Sequence, residues 1–140
     1  MPRVLGGTVR FEVPAEIAFD YLVDPHHRPE WQSSLRRVEN VTGAPREGQT
    51  WTDVTKPGLR PVMETTVLER PRLWTESGTW RFVRAELTLE FDPVRVEACD
   101  VRFSFRIRAL GPVGLAVSVV SVPAVAADLR RAAALLAERD

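Results

Sequence analysis

"VRFSFRIRALGPVGLAVSVVSVPAVAADLRRAAALLAE", Val101 to Glu138, changes its period in the middle. Val101, Phe103, Phe105 and Ile107 alternate with Arg102, Ser104, Arg106 and Arg108, the pattern of a strand with one apolar face. Gly111-Pro112 interrupts it. Leu115, Val119, Val122, Ala126, Leu129, Ala133 and Leu136 then follow at spacings of 4, 3, 4, 3, 4 and 3, which is a helical stripe. The stripe predicts a helix from about Val113 to about Glu138, kinked or restarted at Pro123. Its first half is apolar nearly all round, so it must be enclosed or must face something other than protein.

Upstream, residues 34–110 read as a β-meander. The runs "LRRVENV", "QTWTDVT", "PVMETTVLE", "RLWTESGTW", "RAELTLEFD" and "CDVRFSFRIRA" are separated by Ala44-Pro45…Gly48, Lys56-Pro57-Gly58, Arg70-Pro71 and Asp92-Pro93. Leu87, Leu89 and Phe91 alternate with Glu86, Thr88 and Glu90, so glutamates on one outer face are expected to pair with arginines on the next strand. Glu64, Glu69 and Glu76 are expected to point outward.

The chain starts with another alternating run, "GTVRFEV", with Val9, Phe11 and Val13 on one face. Pro14 suits the first turn of a helix, and "AEIAFDYLVD" carries Ala18–Leu22 and Ile17–Tyr21 at i,i+4 spacing. Asp24-Pro25 ends that helix. "RPEWQSSL" predicts a second short helix beginning near Pro29. The reading is one α+β domain over residues 1–140, with a seven-stranded antiparallel sheet, two short helices after the first strand and a long C-terminal helix. One helix about 10 Å wide leaves part of a curved sheet face uncovered, and such gaps take apolar ligands.

Composition narrows the classes. Hydrophobic residues make up 44% and charged residues 27%, which fits a globular rather than a disordered chain. Formal net charge is zero, which gives no global bias toward nucleic acid. The longest apolar run is short of a membrane span and contains Pro123, so no stable membrane insertion is expected. No secretory signal is read at the start, and cytoplasmic location is the expectation. Cys99 is the only cysteine, which rules out an intrachain disulfide and a cysteine zinc cluster. No dinucleotide or phosphate-cradling glycine loop is present, and no cofactor is expected.

The chain resembles the polyketide cyclase/dehydrase and lipid-transport superfamily (SRPBCC), whose helix-grip fold is shared by START lipid-transfer domains and the birch pollen allergen. The stretches that carry the resemblance are "VPAEIAFDYLVDPHHRPEW", Gly48 in "EGQTW", "VLERPRLW" and the terminal helix. They span essentially the whole chain. The resemblance implies the fold but supplies no universal catalytic motif, since members include enzymes, carriers, receptors and co-chaperones.

His26 and His27 are the only histidines. Adjacent side chains diverge, so a metal site with Asp24 and Glu30 is weighed against exposed loop histidines and a pH-sensitive contact at a pocket mouth, and no metal site is expected. Trp31 either staples its helix to the sheet or lines a cavity with its N–H free for a ligand. Trp51 shares a face with Asp53. If that face is inward, Asp53 is an acid/base candidate; the alternative puts it on the wet face. Tyr21 is either core or a pocket hydroxyl. Trp31, Trp51, Met63, Phe91, Phe103 and Val119 are the candidate lining residues. Three functions follow: a carrier or sensor for a hydrophobic small molecule, a cyclase/dehydratase-type enzyme, or an interaction module with a vestigial pocket. An all-apolar lining argues for the first, and two convergent titratable groups argue for the second. Residue types leave ligand identity and oligomeric state open.

Overall fold

The computed structural model describes residues 5–108 and 112–139, with side chains over 6–108 and 122–139. The order is β1 (Leu5–Phe11), α1 (Ala15–Val23), α2 (Arg28–Trp31), β2 (Leu35–Glu39), β3 (Thr50–Thr55), β4 (Val62–Glu69), β5 (Leu73–Trp80), β6 (Val83–Arg95), β7 (Ala98–Arg108) and α3 (Pro112–Glu138). The strands form one curved antiparallel sheet in the order β1-β7-β6-β5-β4-β3-β2. This is the helix-grip architecture expected from the sequence. Consecutive strands are neighbours except β1 and β2, which lie at opposite edges. The two short helices carry the chain from one edge to the other.

Alternation sets the inner face. Trp51 pairs with Met63, Met63 with Gly78, and Gly78 with Ala85, so one row of the sheet runs across four strands. The next row holds Thr65, Glu76, Leu87 and Phe105. Further along, Trp74 stands beside Leu89, and Leu89 beside Phe103. This end of the face is filled. Phe19 of α1 meets Phe91 edge-on at 5.1 Å between ring centres, and Leu129, Ala132 and Leu136 of α3 close the same core. Gly7 leaves room for the Phe103 ring, which a Cβ there would meet at 3.1 Å. On the outer face Arg102 bridges Glu90 and Asp92 at 2.8 and 3.0 Å, and Arg10 pairs with Asp100 at 2.5 Å. Exposed pairs of this kind add little to stability, because water and salt screen them. Burial pushes the Cys99 thiol up to about 11, with Asp100 and Glu16 adding to it, so Cys99 is an inert packed residue.

Several local expectations are corrected. Asp92-Pro93 does not turn the chain. β6 continues to Arg95, and a register shift between Pro93 and Arg95 accommodates the proline in a bulge. α2 spans only Arg28–Trp31, because Pro25–His27 first form a separate 3₁₀ turn capped by the Asp24 side chain, which accepts from His26 N at 3.0 Å. α3 does not restart at Pro123, which lies exposed inside a single helix. Of the expected α1 stripe, Ala18, Tyr21 and Leu22 are buried but Ile17 is exposed, and Phe19 and Val23 join the buried face. Gly48 has φ +89° and Gly58 has φ +99°, conformations that tie both turns to glycine.

Candidate functional site

The row Met63–Gly78–Ala85 explains why a cavity exists. Glycine and alanine put almost no side chain on the sheet where α2 and the middle of α3 cross it. A cavity of about 320 Å³ lies there. Trp31, Met63, Trp80, Leu87, Phe105 and Val125 form most of its apolar wall. Its polar end is built from three elements: Arg28 of α2, Asp53 of β3 and Glu76 of β5.

These three side chains form a buried ion cluster. Arg28 is only 2% exposed. Its Nε and Nη2 donate to the two oxygens of Asp53 at 3.1 and 2.8 Å, and Nη1 donates to Glu76 Oε2 at 2.6 Å. The Gln32 amide oxygen, turned toward the guanidinium, accepts from Nη1 and Nη2 at 3.2 and 3.1 Å. All five N–H groups of Arg28 are thereby used. Trp51 Nε1 donates to Asp53 Oδ1 at 3.0 Å, and the guanidinium carbon lies 5.0 Å from the centre of the Trp51 ring. Asp53 is thus held on both oxygens. Among the described residues, Glu76 Oε1 has no hydrogen-bond partner.

Burial raises the Glu76 carboxyl above the usual carboxylate range. Arg28 pulls the other way, and Asp53 pushes up again. Upward is the direction the geometry supports, because one guanidinium is shared by two carboxylates. The folded state therefore binds this proton more tightly than the unfolded chain. Its stability contribution is present below the ordinary value of 4.5 and is lost as pH rises through the raised one. The expected result is that the stability of wild type relative to Glu76→Gln declines as pH rises from 4.5 through the raised value and levels off above it, in urea titrations. A pH-independent difference would show that the carboxyl is not perturbed.

The predicted site residues fall in different places. Trp31 and Met63 line the cavity, and Asp53 lies at its polar end. Asp53 is inward and buried, so the wet-face alternative does not hold. Trp51 is buried behind Asp53 rather than on the wall. Phe91 and Phe103 face inward but pack in the filled end of the core. Val119 lies outside the described side chains. Trp31 Nε1 is fully enclosed without a partner, so its N–H is not available to a ligand as it stands. Tyr21 does not line the cavity. Its hydroxyl donates to Glu30 Oε1 at 2.8 Å, which Arg139 also contacts at 2.9 Å. Burial and that bond raise the phenol. His27 is half-buried rather than a free loop residue, stacked on Tyr21 at 4.6 Å with Nδ1 2.9 Å from the Tyr21 carbonyl. His26 is exposed beside Asp24. These contacts fasten the turn to the end of α3. Among the described residues, no group of three or more His, Cys, Asp or Glu side chains is placed to hold a metal ion, and no helix is long and apolar enough to cross a membrane.

Sequence reasoning missed Arg28 and placed Glu76 outward. Glu76 alternates with Trp74, Gly78 and Trp80 in "WTESGTW", so a buried Trp74 carries Glu76 inward with it. Arg28 had no such signal, since a four-residue helix has no period to read.

The same architecture occurs in solved structures. A Mesorhizobium loti protein superposes with a TM-score of 0.80 at 15% identity, covering 99% of each chain. A START superfamily protein from Mycobacterium smegmatis gives 0.77 at 10% identity, over 95% of this chain and 98% of that one. Norcoclaurine synthase from Thalictrum flavum, a point mutant in complex with a transition state analogue, gives 0.76 at 12%, over 99% and 96%. At such identities the likeness is one of fold. No curated protein matches the sequence. The family model described as polyketide cyclase / dehydrase and lipid transport matches residues 5–139, nearly the whole span in which the sheet, the strap of short helices and the gripping helix were found, and the chain belongs to that family.

Proposed function

We propose that this protein binds a hydrophobic small molecule of lipid, polyketide or isoprenoid type in the cavity between the sheet and α3, as a carrier or sensor. The observation that carries this reading is a cavity of about 320 Å³ whose wall is mostly apolar and whose converging carboxyls, Asp53 and Glu76, are bridged by Arg28 with one Glu76 oxygen left over. Family membership supports hydrophobic-ligand binding at a general level. Burying about 300 Å² of apolar ligand surface yields about 7–8 kcal/mol before association costs, the scale of micromolar to weaker binding. The test is titration with Nile red, an uncharged environment-sensitive dye. Wild type is expected to bind it, and Ala85→Trp, which fills the floor, at least tenfold more weakly. Folded protein that leaves the dye dark, or an Ala85→Trp variant that binds equally well, would remove the cavity as a ligand site.

Glu76 favours a second reading, acid/base chemistry of the cyclase/dehydratase type. A buried carboxyl with a raised pKa and one unpaired oxygen can give and take a proton at a substrate carbonyl. Asp53 is a weaker candidate because both its oxygens are occupied. Turnover of a poly-β-keto probe that is lost in Glu76→Gln, with dye binding retained, would select this reading over the carrier.

A further inference from the structure

The polar end of the cavity also defines the ligand's polar group, on the reading that the cavity binds an apolar molecule. Every Arg28 donor is committed, so the guanidinium offers nothing to an incoming acceptor. Trp31 Nε1 is sealed. Among the three charged side chains of this end, the open valence is an acceptor, Glu76 Oε1. Charge points the same way. Among the described residues the charged groups on the wall are Arg28 from α2, Asp53 from β3, Glu76 from β5 and Asp128 from α3. The lining residues of β4, β6 and β7 are uncharged. One cation therefore faces three carboxylates. Asp128 is partly satisfied by the Ser33 N–H and hydroxyl at 3.2 and 3.0 Å through one oxygen.

We propose that the ligand is an apolar molecule bearing one protonated amine, whose N–H donates to Glu76 Oε1 and supplies the positive charge that Arg28 cannot share further. A charge-assisted bond of this kind is stronger than a neutral one, and more so away from water. An anionic ligand meets three carboxylates and a filled Arg28 fork, with the neutral Gln32 amide and Ser34 hydroxyl as donors. A neutral ligand can at most donate an uncharged O–H or N–H to Glu76 Oε1, a weaker bond that adds no positive charge. The raised Glu76 carboxyl fits this arrangement, since a proton fills the same need when no cation is bound.

Three probes of one shape separate the possibilities: 1-aminoadamantane, 1-adamantanol and adamantane-1-carboxylate, each titrated at neutral pH against Nile red bound to the full chain. The amine is expected to displace the dye at a concentration at least tenfold lower than the alcohol, with the carboxylate weakest. In Glu76→Gln the amine's advantage over the alcohol is expected to fall below threefold. An alcohol or carboxylate that matches the amine on wild type overturns the cation assignment and leaves the cavity standing. So does bound Nile red that none of the three displaces. An amine preference that persists in Glu76→Gln overturns the role of Glu76. Failure of Nile red itself to bind removes the cavity, and this inference with it. The wild-type ranking decides the charge question even if the variant does not fold.

Discussion

Arg28→Met is expected to lower the stability of the fold by about 3–5 kcal/mol, because it leaves Asp53 and Glu76 buried against each other with no cation between them. For a chain of this size that is a fall in Tm of roughly 10–20 °C. Met keeps most of the apolar stem, so lost packing contributes little. The loss comes from stranded charge, and it is expected to be largely restored in Arg28→Met/Asp53→Asn/Glu76→Gln, where neutral amides replace both carboxylates. Urea denaturation monitored by tryptophan fluorescence and by circular dichroism measures both variants. A single variant that loses under 1 kcal/mol, or a triple variant no better than the single, would show that the cluster does not hold α2 to the sheet.

Trp51→Ala is expected to cost about 3–5 kcal/mol, through the cavity left by a side chain only 1% exposed. Trp51→Phe separates the terms. It keeps much of the volume but removes the N–H that reaches Asp53 at 3.0 Å, and is expected to cost about 1–2 kcal/mol. Because Trp51 and Arg28 share Asp53 and lie face to ring, Arg28→Met/Trp51→Phe is expected to cost less than the two changes separately. Equal costs for alanine and phenylalanine at this position would show that the packing of the ring is irrelevant.

The fold was legible because it rests on periodicity. The last two strands of the meander showed clear alternation, turn residues marked off the others, and the terminal helix showed a 4-3 stripe that runs through Pro123. The faces were legible for the same reason: Trp51, Met63, Phe91 and Phe103 all point inward. What alternation does not encode is position along the sheet. Phe91 and Phe103 lie at the end covered by α1 and the last turns of α3, whereas the cavity lies at the end where Gly78 and Ala85 carry almost no side chain of their own. Finding that end requires the register between β5 and β6, which pairs Gly78 with Ala85. Asp53 and Glu76 were hard to read for a further reason. A carboxylate on an inward face looks like an error of register until its cation is known, and Arg28 is supplied by a helix one turn long from elsewhere in the chain.

The placement of β1 at the far edge, with Phe11 opposite Cys99, fixes an order of events during synthesis. The meander from β2 to β7 joins neighbours as they emerge, one hairpin after another. β1 cannot: about 90 residues separate it from its partner. At about 5–20 residues per second, translation leaves it waiting roughly 5–20 s with Val9 and Phe11 uncovered. β1 can pair only after β7 has emerged, and α3 closes the core later still. While the ribosome is working, β1 and the inner face that α3 later closes are the apolar surfaces this stretch presents to chaperones and proteases.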